Sequence, residues 1–241
     1  MSKKYKNKKS VAKAPLQSPQ TYLKSGKARN LPIYECRLNP DWRETGLATV
    51  VVARSHAGGS ITWATYLIDV FCVGLKQTHY LFNVEIDEYE EMLEQISEMQ
   101  ELEIADYTLV HNVVYGGIAY AEDLDISPLD KDWAVSQYVL AADTDEVELL
   151  DLEFGKDGMP FYNSGPYDNV KQIIQKLDTA VGPGNYHYLS HVGGFDLSGI
   201  DFNDLDFDDD DDDDDWEEDE DDENEDDDEG FTDFEEIKDE K

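Results

Sequence analysis

Asp69 stands inside the apolar run Tyr66-Leu67-Ile68-Asp69-Val70-Phe71-Cys72-Val73. A carboxylate in such surroundings carries a heavy desolvation cost unless it is hydrogen-bonded, paired or neutralised. Two roles fit it: a functional carboxylate with a displaced pKa, or an aspartate at a strand end bonding the N–H groups of the turn near Gly74. His111 and Tyr115 are four residues apart in LVHNVVYGGIAYAEDL, close enough to touch on one helix face, with Asn112 beside them and Glu122 at the same angle further on. At ~1.5 Å rise per residue, His111 and Glu122 lie roughly 16 Å apart along the axis, too far to share a proton or a metal. The His–Tyr pair with Asn112 is then half of a polar pocket, or else His111 is a buried histidine bonded to a neighbouring element.

Asp69, His111, Tyr115 and Glu122 are thus the candidate catalytic positions. The enzyme they would build is a metal-dependent hydrolase or nuclease with Glu35, Asp69 and Glu122 as ligands, provided that the three carboxylates converge. Other chemistries lack their motifs. His187 and His191 have i, i+4 spacing, but no glutamate follows the first histidine as in HExxH, and flanking glycines argue against a helix. Gly155-Lys156-Asp157-Gly158 lacks the upstream glycine and the Ser/Thr of a phosphate loop. A GxSxG elbow and a dinucleotide fingerprint are absent, and no cofactor is expected.

The elements that must position these groups occupy the middle of the chain. LATVVVARSH and ITWATYLIDVFCV are β-rich and separated by Ala57-Gly58-Gly59-Ser60, so a two-residue Gly-Gly hairpin is expected, with paired residue numbers summing to 117. That register sets Arg54 opposite Trp63 as an exposed cation–π pair, and Asp69 opposite Ala48. A short strand over 31–38 precedes the hairpin, and a strand over 78–84 completes a meander. A helix over 87–103 opens on an Asp87–Glu90 capping box, and a second over 106–123 carries Val110, Val113, Val114, Gly117 and Ala121 on one stripe. Glycine inside a helix costs roughly 1 kcal/mol relative to alanine, so Gly116 and Gly117 predict a close backbone contact there. AVSQYVLAA and VELLDLEF read as strands, MPFYN as a hairpin partner after the GKDG turn, and a helix over 168–181 has Asp168 as N-cap and Val170, Ile173, Ile174 and Leu177 on its buried face.

Charge divides the 241 residues into three parts. Residues 1–29 carry +9, residues 30–200 carry −21 and residues 201–241 carry −26, giving −38 in all. The expectation is one α+β domain over 30–194, with antiparallel strands packed against about three helices. Disordered tails flank it, a basic arm over 1–29 and an acidic segment over 195–241. No apolar run approaches a membrane span, and no apolar stretch follows the basic start, so no membrane association and a cytoplasmic location are expected. Cys36 and Cys72 read as buried thiols in a reducing compartment.

The stretches LPIYECRLNPDWRETGLATVVVARSHAGGSITWATYLIDVFCVGLKQTHY, LVHNVVYGGIAYAEDLDISPLDKDWAVSQYVL and EFGKDGMPFY resemble an uncharacterised bacterial protein family, over residues 28 to about 163. The resemblance implies a shared domain and brings no activity with it. Where that family pattern has a histidine after the proline of SPLDKDW, this chain has Leu129.

The acidic segment is not uniform. Eight consecutive aspartates, 208–215, separate an aromatic-bearing stretch with Phe202, Leu205 and Phe207 from a second with Phe231, Phe234 and Ile237, and Trp216 follows the run directly. Acidic-hydrophobic alternation stays solvated alone yet can fold onto a basic, grooved partner. These seven residues are therefore the candidate partner-binding positions. The expected partners are basic proteins, nucleic-acid-binding or ribosomal, or the chain's own basic arm, which itself makes at most weak nucleic-acid contact. The expected function is non-catalytic interaction, with the hydrolase as the alternative.

Overall fold

The β-branched run Thr49-Val50-Val51-Val52 and the alternating stretch after Ser60 form the centre of a five-stranded sheet in the computed structural model, which describes residues 18–165 and 168–189. The strands are β1 (Ile33–Leu38), β2 (Leu47–Ser55), β3 (Ile61–Asp69), β4 (Gly74–Val84) and β5 (Glu103–Ile104), in spatial order β4-β3-β2-β1-β5 and antiparallel throughout, with a single helical turn, α2 (Trp42–Thr45), between β1 and β2. The expected α+β domain with its antiparallel meander is therefore present.

Alternation along β2 and β3 supplies two buried faces. Ala48, Val50, Val52, Ala64, Tyr66 and Ile68 pack under helix α4 (Tyr107–Asp123), against Val110, Val113, Val114 and Ile118. Val51, Ala53, Ile61 and Trp63 pack under helix α3 (Ile86–Met99), against Tyr89 and Leu93. The result is helix, sheet, helix. Five described residues, 56–60, connect β2 to β3; within this loop the His56 N–H donates to Ser60 O at 2.8 Å, the Gly59 N–H donates to His56 O at 2.9 Å, and of its two glycines only Gly59 has positive φ, at 91°. Paired numbers consequently sum to 116, as in Ser55↔Ile61 and Leu47↔Asp69, rather than to 117.

A one-residue shift of register exchanges the faces of a strand, and that is what separates the expected Arg54–Trp63 pair. Trp63 faces α3 beside Tyr89, with ring centroids 5.4 Å apart. Arg54 faces the opposite way and is 4 % exposed. Its guanidinium donates to the carbonyls of Val139, Arg29 and Leu31 and lies 5.6 Å from the Tyr107 ring.

Arg54 also accounts for a second departure from expectation. Residues 18–29, assigned to the arm by composition, fold: α1 (Pro19–Lys24) is capped by Ser18 Oγ on the Thr21 N–H, and a 3-10 turn covers Lys27–Asn30. Leu23 and Ala28 are fully buried. Two apolar anchors and the carbonyls bonded by Arg54 hold a segment that looks unfoldable on average composition. Residues 1–17 lie outside the described residues.

The stretch read as two strands over 134–154 is instead a short helix α5 (Trp133–Ser136), a 3-10 turn at Gln137–Val139, and irregular chain over 140–154. MPFYN contributes β6 (Phe161–Asn163), which pairs in parallel with β7 (His187–Leu189), not in a hairpin across GKDG. GKDG itself closes a tight turn through the reciprocal Lys156 and Met159 backbone bonds. Two helix starts also differ from expectation. α3 begins one residue early, with Glu85 at its N-cap and no side-chain cap, and α6 (Val170–Ala180) is capped by Asn169 Oδ1 on the Gln172 N–H. Asp168 has another partner, described below.

The glycines inside α4 are packed closely, but by side chains rather than by the expected backbone; the backbone approach to α4 is at Gly74, where a Cβ would meet Gly117 O. A Cβ on Gly117 would meet Ile68 Cγ2, and one on Gly116 would meet the Phe154 ring. Gly117→Ala gains helix propensity of about 1 kcal/mol but overpacks against the sheet, which costs typically 1–3 kcal/mol. We expect net destabilisation of up to about 2 kcal/mol, read from the urea midpoint. Among the described residues no helix is long and apolar enough to cross a membrane.

Candidate functional site

α4 presents Tyr107, His111 and Tyr115 at i, i+4, i+8, and their rings form a continuous row, with centroids 5.8 Å apart for Tyr107–His111 and 4.7 Å for His111–Tyr115. The two hydroxyls that flank the histidine grip one residue: Tyr107 Oη accepts the Ala141 N–H at 2.7 Å, and Tyr115 Oη donates to Ala141 O at 3.2 Å. Asn112 grips the other end of the same irregular segment. Its Nδ2 donates to Glu148 O at 2.8 Å and its Oδ1 accepts the Leu150 N–H at 2.9 Å. The segment between these holds arches over the helix and encloses a cleft of about 370 Å³, lined by His111, Asn112, Tyr115, Gly116, Asp143, Asp145, Leu149 and Phe154 among others.

His111 is 3 % exposed, and its Nε2 has no hydrogen-bond partner among the described residues. Burial depresses its pKa; the nearby carbonyls of Ala141 and Ala142 and the Asp143 carboxylate act the other way without meeting Nε2 in hydrogen-bonding geometry, and Arg54 reinforces the depression. The imidazole is therefore neutral at pH 7. Burial raises the Tyr115 phenol to about 12, with Arg29 opposing and Asp143 adding to the shift. The sequence places His111, Tyr115 and Asn112 together. It does not show Asp143, Asp145 or Phe154 facing them, because residues 143–150 read as the turn and second strand of a sheet; the cluster DTDE, poor in strand formers, is the available signal.

Asp69 takes the structural role of the two open to it. Its Oδ1 accepts the Phe71 and Cys72 N–H groups, both at 2.9 Å, and closes the β3–β4 turn. Burial raises its pKa to about 6, although Lys76 and the two N–H donors act to lower it. A carboxyl whose folded pKa lies above its unfolded value of 3.8 favours the folded state at low pH, and that contribution falls away as pH rises from about 4 to above 6. Asp69→Asn keeps an acceptor and removes the charge. We expect the stability difference between the Asp69→Asn variant and the parent to move by about 2.4 kcal/mol in the variant's favour between about pH 4 and pH 7.5, measured by urea unfolding at each pH.

Glu35 and Glu122 lie elsewhere. Glu35 pairs with Arg37 at 3.0 Å and accepts the Tyr89 hydroxyl at 2.6 Å, under α3, with β2 between it and Asp69. Glu122 is exposed on the last turn of α4. The metal site expected from Glu35, Asp69 and Glu122 is not formed, and among the described residues no group of three His, Cys, Asp or Glu side chains is placed to hold a metal ion. His187 is exposed in strand β7, and His191 lies outside the described residues. Asp168 joins the turn before α6 to β4: its Oδ2 accepts Lys76 Nζ at 2.9 Å, the Gly165 N–H at 2.7 Å and the Tyr162 hydroxyl at 3.2 Å. Cys36 and Cys72 are free and buried.

A second concavity, about 630 Å³, is lined by Trp42, Arg43, Lys156 and Asp157 among others. Its cations are already seated on aromatic rings, Arg43 over Trp42 at 4.0 Å and Lys156 over Phe161 at 4.7 Å. The candidate partner-binding residues Phe202, Leu205, Phe207, Trp216, Phe231, Phe234 and Ile237 lie outside the described residues.

Fold and site together define an α+β domain with a small anionic cleft built on one helix. No protein-family model, curated protein or solved structure matches the chain.

Proposed function

We propose that the chain is a non-catalytic cytoplasmic interaction protein whose acidic, aromatic-bearing carboxy-terminal segment engages basic partners: nucleic-acid-binding or ribosomal proteins, or the basic residues at its own amino terminus. The observation that carries this reading is the segregation of charge, +9 over residues 1–29 against −26 over residues 201–241, with Phe, Trp, Leu and Ile spaced through the acidic part. Such charge attracts a cationic surface over roughly a Debye length, about 10 Å at 0.1 M salt, while the aromatics supply contacts that need a shaped partner. The acidic candidates of the domain support the same reading, since Glu35 is occupied by Arg37 and Tyr89, and Asp69 by its own turn. Two free buried thiols suit a reducing compartment.

The test is fluorescence anisotropy of a labelled Lys/Arg-rich peptide titrated with the full chain at low ionic strength. Saturable binding of that peptide, and none of a neutral peptide of equal length, is the expected result. No binding of the basic peptide would overturn the reading.

A further inference from the structure

The cleft over α4 has a chemistry that the acidic carboxy-terminal segment does not explain. Its rim carries Asp143 and Asp145, both exposed, and no lysine or arginine lines it; Arg29 and Arg54 lie behind Tyr115 and His111, bonded to the backbone carbonyls of Leu140 and of Arg29, Leu31 and Val139. Anions are therefore repelled at the mouth and cations drawn in. Below the rim the walls are apolar and aromatic, with Tyr115 and Phe154 on the sides, and Leu149 stands 90 % exposed at the opening. At depth lies His111, 3 % exposed, with an Nε2 that no described group satisfies. Buried polar groups in native structures are almost always hydrogen-bonded, so the unmet Nε2, an acceptor when the proton of the neutral ring sits on Nδ1, points to a donor that arrives from outside.

These features select one class of ligand. A metal ion wants three or more convergent ligands, and no such group exists among the described residues. A primary ammonium on a flexible apolar stem meets every requirement: three N–H donors for the carboxylates and the imidazole, methylenes for the leucine and phenylalanine, and a cation for the aromatic faces.

We propose that the cleft between α4 and residues 143–150 is a binding site for an alkylammonium group, supplied either by a free aliphatic diamine or by a lysine side chain of a basic peptide. For the second source the inference deepens the interaction reading and rests on it. For the first it stands alone.

The experiment uses the full chain and follows the His111 ring resonances by NMR while 1,5-diaminopentane, 1-pentanol or a lysine-rich peptide is added, with affinity measured in parallel by calorimetry. The exposed pair Asp143→Asn and Asp145→Asn is the variant, since neither side chain is buried and folding is preserved. Saturable shifts of the His111 ring with the diamine, none with pentanol, and affinity about tenfold weaker in the variant are expected. Shifts with the peptide and not with the diamine assign the lysine side chain as the source; shifts with both leave the free amine sufficient. A His111 ring that does not move with either amine, or moves equally in parent and variant, overturns the proposal. A further chain with residues 208–215 changed to asparagine separates the two readings: diamine binding at His111 persists in it if the cleft is the site, whatever becomes of peptide affinity.

Discussion

Arg54→Ala is expected to cost about 3 to 5 kcal/mol of folding stability, measured by urea or guanidinium unfolding. The guanidinium serves the carbonyls of Arg29, Leu31 and Val139 at once, so it ties residues 27–31 and the 3-10 turn at Gln137–Val139 to the central strand β2. Truncation leaves buried acceptors with no donor, each worth roughly 1–3 kcal/mol, less what entering water recovers. Arg54→Lys restores the charge but not the fork, since one ammonium cannot reach carbonyls on separate sides, and it should recover less than half of the loss. Arg54 also depresses the proton affinity of His111, so the alanine variant should show a higher His111 pKa by NMR titration. A variant with parental stability would show that the carbonyls find other partners and that residues 18–31 are held by Leu23 and Ala28 alone.

The same residue shows why part of the fold was readable and part was not. The strands β1 to β4, the helices α3, α4 and α6 and the stripe Val110, Val113, Val114, Gly117, Ala121 follow from periodicity, which is a local property. The hairpin register depends on whether the loop has two residues or five. Gly58-Gly59 permits both, and the His56–Ser60 bond that selects the longer one is visible only in three dimensions. From that single step follow the burial of Arg54, the burial of Trp63 and the anchoring of residues 18–31. The irregular segment over 140–154 was legible as apolar and acidic but not as irregular, because what holds it is a set of hydroxyl and amide side chains on α4 bonding its backbone. Asp69 was legible as an anomaly, and its role depended on the positions of two N–H groups. His111 and Tyr115 were found by spacing; the carboxylates opposite them are about thirty residues away in sequence and carry no periodicity that joins them to α4.

Changing residues 208–215 from aspartate to asparagine is expected to weaken binding of a Lys/Arg-rich peptide by about 100-fold at low ionic strength. Exposed charge pairs are worth a few tenths of a kcal/mol each, and eight of them together reach the ~2.7 kcal/mol that corresponds to two decades. The aromatic contribution is separable from this. Phe231→Ser with Phe234→Ser leaves the charge intact and should weaken binding about tenfold, through lost apolar contact with the partner. Only the first of the two effects responds to salt. Screening removes the advantage of the aspartates as ionic strength rises, while the deficit of the phenylalanine variant persists.

That contrast gives the most direct measurement of the interaction reading: anisotropy titrations of one labelled basic peptide with the parent chain, the asparagine variant and the phenylalanine variant, at ionic strengths from about 50 mM to about 500 mM. The predicted result is three distinct affinities at low salt, with the asparagine variant converging on the parent at high salt and the phenylalanine variant remaining weaker. Equal affinity of all three chains at every ionic strength would contradict the account, because neither the charge nor the aromatics of the acidic segment would then take part in binding.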